Sequence, residues 1–331
     1  MANRRPLLVV LTPVRNEAWV LRAFLEATSL WADYIIIADQ MSTDGSREIA
    51  KEYPKVILID NDRKEMHQAA TRRLLFEEAK KIDGDKILFA LDADEFLSGD
   101  FMNEEDWRRI MNSKPDDSFW WRWMNLKEGD TNLFFSGPHL YWAVHESEDL
   151  WNGEFPDNSI HEWRLPWSSK AGRSQKFLLN DFYSIHLAWV NQRRQRNKER
   201  FYQVTTYCHD TQSSCITLSR HYHDEKNRLY EKVPEDVYTY YINNNLDIWR
   251  YIDLEDEGKY YTIEVLDCFN RRGISEFAFL DIWDPEWMKR NGLKDPRAWY
   301  QRLLHGYLHR TMPFSNTFLV RCVDKILKQI V

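Results

Sequence analysis

Four short, nearly continuous apolar runs in the first 97 residues constrain this chain more than any other feature. They are Leu7 to Thr12, Tyr34 to Ala38, Val56 to Ile59 and Ile87 to Leu91. A strand that is apolar at every position, not every second one, is covered on both faces of its sheet. The intervening stretches at about 16–30, 44–52 and 65–82 carry helical patterning, and Ser42 and Thr43 stand ahead of Asp44 as candidate caps for the second. Repeated strand–helix–strand units predict an α/β fold: a Rossmann-like, mostly parallel central sheet with flanking helices. With 331 residues and 43% hydrophobic content, the chain has enough apolar material for a sizeable core and reads as one large or two closely joined domains.

In sheets of this kind ligands bind beyond the carboxyl ends of the strands. The fourth run ends in Asp92-Ala93-Asp94-Glu95. Clustered carboxylates at the edge of a buried strand repel one another unless a cation neutralises them. Hard cations such as Mg²⁺ and Mn²⁺ take such oxygen ligands together with phosphates. The bland alternative is a solvated acidic turn. Two further triplets, Asp60-Asn61-Asp62 and Asp83-Gly84-Asp85, show that the spacing alone is not rare. Only the triplet at 92–94 has both a long buried strand before it and an apolar continuation. Two polar loops share the same edge: Thr12-Pro13-Val14-Arg15-Asn16-Glu17 after the first strand, and Asp39-Gln40-Met41-Ser42-Thr43-Asp44-Gly45-Ser46 after the second. Each opens a helix, where backbone N–H groups either receive an anion or are simply capped.

These three segments, in this order and spacing, resemble the family 2 glycosyltransferases with the GT-A fold. The resemblance covers about residues 6–97 well and 98–205 loosely, and leaves 225–331 without a counterpart. It implies an inverting transferase that moves a sugar from a UDP- or GDP-linked donor to a glycan or other hydroxyl acceptor, with Mn²⁺ or Mg²⁺ as the cofactor. Residue by residue, it implies that Thr12, Pro13, Asn16, Glu17, Asp39 and Asp44 form the nucleoside-binding edge. Arg72 or Arg73 would lie near the base and diphosphate. Asp92 and Asp94 would hold the metal, Asp92 also touching the donor. Many members have paired aspartates where this chain has Asp39-Gln40, which leaves the base open between uridine and guanosine. Phe182 to Trp189 resembles a late strand whose histidine, here His186, completes the metal site in some relatives. Ile160-His161-Glu162 resembles a His-Glu step seen in some relatives between the acidic triplet and the late histidine. Glu162 is therefore the favoured catalytic base, with Asp157 and then Glu146 as competitors. Arg194, Lys198 and Arg200 either screen diphosphate charge or form a solvated basic face, and Trp163, Trp167 and Trp189 are candidates for stacking on sugar rings.

The expected organisation is a glycosyltransferase domain over 1–224, with a sugar-nucleotide half at 1–97 and an acceptor half at 98–224. A helical, aromatic-rich region over 225–331 would serve acceptor or oligomer contacts. Phe119 to Trp123 reads as a strand and Gln192 to about Cys208 as a helix. The net charge of -7 disfavours bulk binding of nucleic acid. Four cysteines without a CxxC pair suit a reducing, cytoplasmic setting. Cys208, His209, Cys215, His221 and His223 fit no usual zinc spacing. No window reaches the roughly 18 apolar residues that span a bilayer. Phe314 to Val331 reads as a docked terminal helix, with peripheral membrane contact as the alternative. The rival functions are a nucleotidyltransferase of similar fold, against which the missing Gly-rich phosphate loop speaks, and a non-catalytic glycan-binding module.

Overall fold

The computed structural model describes residues 5–64, 66–127, 129–153, 155, 164–166, 175–209, 214–222 and 228–329. The chain divides into two compact units: Met1–Asn191 with Tyr230–Glu255, and Gln192–Leu229 with Asp256–Val331. The chain therefore crosses between units three times, and the 224/225 position expected as a boundary lies between two of the crossings.

The first unit is built on one sheet. Strands β1 (Leu7–Val14), β2 (Tyr34–Asp39), β3 (Val56–Asp60) and β4 (Lys86–Ala90) run parallel in the order β3-β2-β1-β4. Helices α1 (Ala18–Ser29), α2 (Ser46–Lys51) and α3 (Gln68–Lys80) connect them. The apolar runs are continuous because successive residues serve different cores. Leu8, Val10, Ile35, Ile37, Ile87 and Phe89 pack in a cluster with Val20 and Phe24 of α1, whereas Val9, Leu11, Ile36, Ala38, Leu88 and Ala90 pack with Leu75 and Phe76 of α3. Side chains alternate along a strand, so a sheet with a helix on each face requires apolar residues at every position.

Beyond β4 the sheet becomes mixed. β4 pairs with β7 (Asp130–His145), and β7 with β6 (Ser118–Lys127). The expected strand over Phe119 to Trp123 is the first half of β6. β9 (Ser184–His186) lies parallel to β6, and β5 (Glu95–Leu97) lies antiparallel to β9. The strand expected over 182–189 is thus only three residues long. Pairing ends because the chain turns at 187–190 and enters a helix at Gln192. The remaining strands are β8 (Lys176–Leu178) beside β6 and β10 (Glu231–Lys232) beside β7. Short helices α4 (Glu105–Met111), α5 (Glu148–Trp151) and α8 (Thr239–Asn243) complete this unit.

The second unit is helical. It contains α6 (Gln192–His209), α7 (Cys215–Tyr222), α9 (Lys259–Arg272), α10 (Pro285–Arg290), α11 (Trp299–Thr311) and α12 (Phe318–Leu327). An aromatic core of Phe269, Phe277, Trp283 and Trp287 holds it, with Phe269 stacked on Trp283 at 5.3 Å. Gly258, the N-cap of α9, sits at φ 60°, and a Cβ there would lie 2.8 Å from the Tyr261 ring. Among the described residues, no helix is long and apolar enough to cross a membrane.

Candidate functional site

The three loops named from the sequence meet at the carboxyl edge of β1, β2 and β4. The first two are tied together more tightly than expected. Ser42 Oγ accepts the Asn16 N–H at 2.8 Å, Ser46 Oγ that of Glu17 at 3.0 Å, and Asp44 Oδ2 that of Ala18 at 2.9 Å. Asn16 Oδ1 accepts the Thr43 N–H at 2.7 Å. The N–H groups of Asn16, Glu17 and Ala18, leading into α1, are therefore taken by side chains from the second loop, which is the capping alternative of the two readings. Ser42 and Thr43 do not cap α2. Its N-cap is Gly45 at φ 98°, and Asp44 Oδ1 takes the Ser46 N–H at 3.0 Å. Asn16 itself holds φ 55°, a left-handed conformation that asparagine tolerates better than most residues.

Asp39 ends β2 and is almost fully buried. Its Oδ2 accepts from Arg47 at 2.9 Å and from the Ser42 N–H at 3.2 Å. Its Oδ1 is buried with no hydrogen-bond partner among the described residues, and so are Thr12 Oγ1 and Arg72 Nη1. Orphaned buried polar atoms are rare in folded proteins and call for an explanation. Three of them belong to residues the sequence assigned to donor binding. Pro13 lies within β1 and pairs with Ala38. Glu17 accepts the Trp19 indole N–H at 2.6 Å.

The acidic segment differs from expectation in a specific way. Among the described residues, Asp92 is not one of the three whose ligand atoms lie within 4.8 Å of one another. Its Oδ1 is 2.6 Å from Arg72 and its Oδ2 is 3.0 Å from Arg164. Of the two candidate arginines, Arg72 is buried and reaches Asp92, whereas Arg73 is exposed. Burial lowers the Arg72 pKa against the pull of Asp92. The residues whose ligand atoms lie within 4.8 Å of one another are Asp94, Glu95 and His186. Glu95 was not singled out from the sequence. Its carboxylate is fully buried and accepts from Arg164, from the Trp123 indole at 2.7 Å and from the Asp92 N–H at 2.7 Å. Burial pushes the Glu95 pKa up to about 7 against the opposing charge of Arg164. Burial also opposes the Arg164 charge, but Asp92 and Glu95 outweigh it and hold the pKa above its ordinary value. Arg164 lies over the rings of Trp142 at 4.4 Å and Trp123 at 5.3 Å, so its charge is held by carboxylates on one side and π-faces on the other.

Sheet register brings the remaining pieces together. Glu95 pairs with His186, and His186 with Asn125. Trp123 and Asn125 are two apart on β6 and so present one face. The imidazole stacks on Trp123 at 4.8 Å with planes 8° apart, and its Nδ1 lies 2.7 Å from Asn125 Oδ1. An amide oxygen can only accept, so Nδ1 carries the proton. In the neutral ring Nε2 then presents a lone pair. It faces Asp94 Oδ2 at 3.6 Å. A lone pair opposed to a carboxylate suits a cation shared between them, and a fixed second nitrogen is the usual device for orienting a metal-binding histidine. The chemistry of this donor set therefore fits a divalent cation at Asp94 and His186.

The other triplets have protein partners. Asp60 pairs with Arg47 at 2.7 Å, and Asp85 lies 2.7 Å from His145. Glu146, a competitor for the base, is held by Lys86 at 2.7 Å at the amino end of β4, the opposite edge of the sheet, which removes it from consideration. Glu162 and Asp157, together with Trp163 and Trp167, lie outside the described residues. Arg194 pairs with Asp256 within the second unit. Cys208 and Cys215 join no metal-binding group among the described residues.

Residues 9–105 match the family described as Glycosyl transferase family 2. No curated protein matches the chain. Among solved structures, it is similar to glucosyl-3-phosphoglycerate synthase from Mycobacterium tuberculosis, in complex with Mn²⁺, UDP and glucosyl-3-phosphoglycerate. That match has 17% identity over 36% of this chain and 44% of that one, with a TM-score of 0.27. It is also similar to mannosyl-3-phosphoglycerate synthase from Rubrobacter xylanophilus, at 12% identity over 37% and 41% of the chains with a TM-score of 0.27. A third is the inositol-1-phosphate CTP transferase from T. maritima, at 8% identity over 56% and 90% with a TM-score of 0.34. The matched part spans less than half of the first two proteins. Similarity this low does not transfer an activity.

Proposed function

We propose, from the premise that residues 9–105 carry a family 2 glycosyltransferase segment, that this chain moves a sugar from a nucleoside-diphosphate donor to a hydroxyl acceptor, with a divalent cation held by Asp94 and His186. The observation that carries the reading is the His186 ring: its Nδ1 lies against Asn125 Oδ1 and its Nε2 faces Asp94, so the neutral ring would offer a lone pair there. Mn²⁺ or Mg²⁺ bound there would offset the negative charge that gathers on the leaving diphosphate.

The chain's own residues supply the rest. Asp92, clamped by Arg72 and Arg164, fixes both guanidiniums at the edge of the sheet. Arg72 Nη1, buried without a hydrogen-bond partner among the described residues, would donate to a phosphate oxygen. Asp39 Oδ1 would accept from the ribose or the base, and Thr12 Oγ1 lies on the adjacent strand. Direct displacement needs a carboxylate to take the acceptor proton on the face opposite the leaving group. Glu162 is the proposed base, with Asp157 as its competitor. The acceptor is proposed to be a glycan, handled by the half at 98–224, and 225–331 is proposed to make acceptor or oligomer contacts. The UDP- or GDP-linked identity of the donor and a cytoplasmic setting, which suits four free cysteines, belong to the same proposal.

Peripheral membrane contact is proposed for α12. This helix buries only Asp324, which Arg220 and Tyr307 hold, and it turns Phe318, Leu319 and Ile326 to solvent beside Arg321, Lys325 and Lys328. Exposed apolar residues beside basic ones suit an anionic bilayer surface.

The deciding experiment is a thermal-shift and hydrolysis screen of UDP- and GDP-sugars with and without Mn²⁺. Metal plus a nucleoside diphosphate is expected to raise Tm, and Asp94→Asn to remove the rise. Absence of any metal-dependent response to every nucleotide would sink the proposal.

A further inference from the structure

The second unit contains a cavity of about 350 Å³ that the proposed transfer does not use. One wall is a stripe of α6, namely Arg196, Glu199, Arg200 and Gln203, at the i, i+3, i+4, i+7 spacing that shares a helix face. The opposite wall is the segment Asp281 to Pro285 with Arg297 and His309.

Among the described residues, three arginines and three carboxylates line this cavity, but none of the arginines forms an ion pair with one of those carboxylates. Arg200 is only 6% exposed. It donates from Nε to the Ile282 carbonyl at 3.1 Å and from Nη1 to Asn197 Oδ1 at 2.8 Å, and lies 4.0 Å from the Trp287 ring centroid. It forms no ion pair with any described carboxylate, and its Nη2 makes no hydrogen bond among the described residues. Burial pushes its pKa down to about 10. Nearby Asp284 and Glu199 oppose that shift and Arg196 adds to it. The carboxylates that share the cavity make their hydrogen bonds elsewhere: Glu199 accepts from the Gln195 amide at 3.0 Å. Asp281 accepts from Ser219 at 3.0 Å and lies 2.7 Å from His309, and Asp284 caps α10 through the Trp287 N–H at 2.7 Å. Arg297 is already forked onto Asp295. Arg196, one turn from Arg200, has no hydrogen bond or ion pair among the described residues. Two like charges at this spacing repel. Gln203 is 2% exposed, and its Oε1 is buried with no partner among the described residues.

An unpaired guanidinium buried beside a second guanidinium is costly unless an anion completes it. An orphaned amide oxygen next to them calls for a donor. We infer that this cavity binds a small hydroxylated oxyanion, its phosphate or carboxylate bridging Arg196 and Arg200 and a hydroxyl donating to Gln203 Oε1. Guanidiniums read both oxyanions through paired N–H groups, and the volume lies within the range of small-molecule sites. The site is independent of the proposed transfer and stands or falls separately from it.

The test uses the full chain in calorimetry and thermal shift with glucose 6-phosphate, glucuronate, inorganic phosphate and neutral glucose. At least one of the hydroxylated anions is expected to bind, and glucose is not. Glucose 6-phosphate against glucuronate separates phosphate from carboxylate. Arg196→Ala, at an exposed position, should weaken binding at least 10-fold. Arg200→Met should abolish it while leaving the unliganded Tm equal or higher, because it removes an unpaired buried charge. Gln203→Leu should weaken the hydroxylated anion more than inorganic phosphate. Binding that survives Arg196→Ala and Arg200→Met undiminished, or no binding by any anion, overturns the inference. If Arg200→Met does not fold, Arg196→Ala alone decides.

Discussion

Asn125 touches no proposed ligand, yet it should control metal affinity. It is 3% exposed, and its Oδ1 is the acceptor that fixes the proton on His186 Nδ1. Trp123 already pins the plane of the ring, so the amide sets the tautomer and not the position. Asn125→Leu removes that acceptor and lets the proton move to Nε2, where it would block the cation. Loss of such an outer partner typically costs about 10–100-fold in metal affinity. At a Mn²⁺ concentration 100 times the wild-type Kd, linkage stabilises the protein by about 2.7 kcal/mol. With the Kd raised 10- or 100-fold, the same relation leaves about 1.4 or 0.4 kcal/mol. A unit the size of the first, about 217 residues, moves roughly 2–4 °C per kcal/mol. The Mn²⁺-induced rise should therefore fall from about 5–10 °C to about 1–5 °C. Asn125→Asp keeps an acceptor and makes it anionic, so it should preserve or strengthen metal binding while lowering the unliganded Tm. Thermal shift across a Mn²⁺ titration, with calorimetry for Kd, reads both variants. A metal response in Asn125→Leu equal to wild type, in a folded protein, would refute the tautomer argument.

Three other predictions follow from the same physics. Arg164→Leu leaves buried Glu95 without its counter-charge and should cost about 3–5 kcal/mol in urea unfolding; adding Glu95→Gln should recover part of that, so strictly additive losses would show that the two are not coupled. The Cys208 thiol is drawn down to about 7 because the Cys268 thiol donates to it, so its thiolate fraction should grow as pH rises through about 7. Peptide-resolved alkylation should show that midpoint and an upward move in Cys268→Ala; an unchanged midpoint contradicts the pairing. Phe318→Asp with Ile326→Asp should reduce co-sedimentation with vesicles containing anionic lipid while leaving metal-dependent stabilisation intact, and equal sedimentation would remove the membrane proposal.

Much of the fold of the first 97 residues is legible along the chain. The continuity of Leu7 to Thr12 and of Ile87 to Leu91 reports helices on both sheet faces, and the structure shows alternate residues feeding two cores. The loops at Thr12 to Glu17, Asp39 to Ser46 and Asp92 to Glu95 were found because a parallel sheet delivers strand ends to one edge. β9 is shorter than the sequence suggests because apolar composition continues past the last paired residue. Glu95 is not legible as a site residue, because a third acidic residue after a D-x-D triplet carries no signal of its own.

What the sequence determined by itself was local: which segments are strands, which faces they bury, and which polar loops share an edge. Those follow from side-chain period and from apolar runs only a few residues long. Tertiary structure alone decided how the acidic residues are used. Asp92 is held by Arg72 and Arg164, while Asp94 faces His186. That division depends on pairing Glu95 with His186, some 90 residues apart, and His186 with Asn125. A one-residue slip in either register would turn every side chain to the other face. Register is set by the packing of the whole sheet, so no single segment contains it.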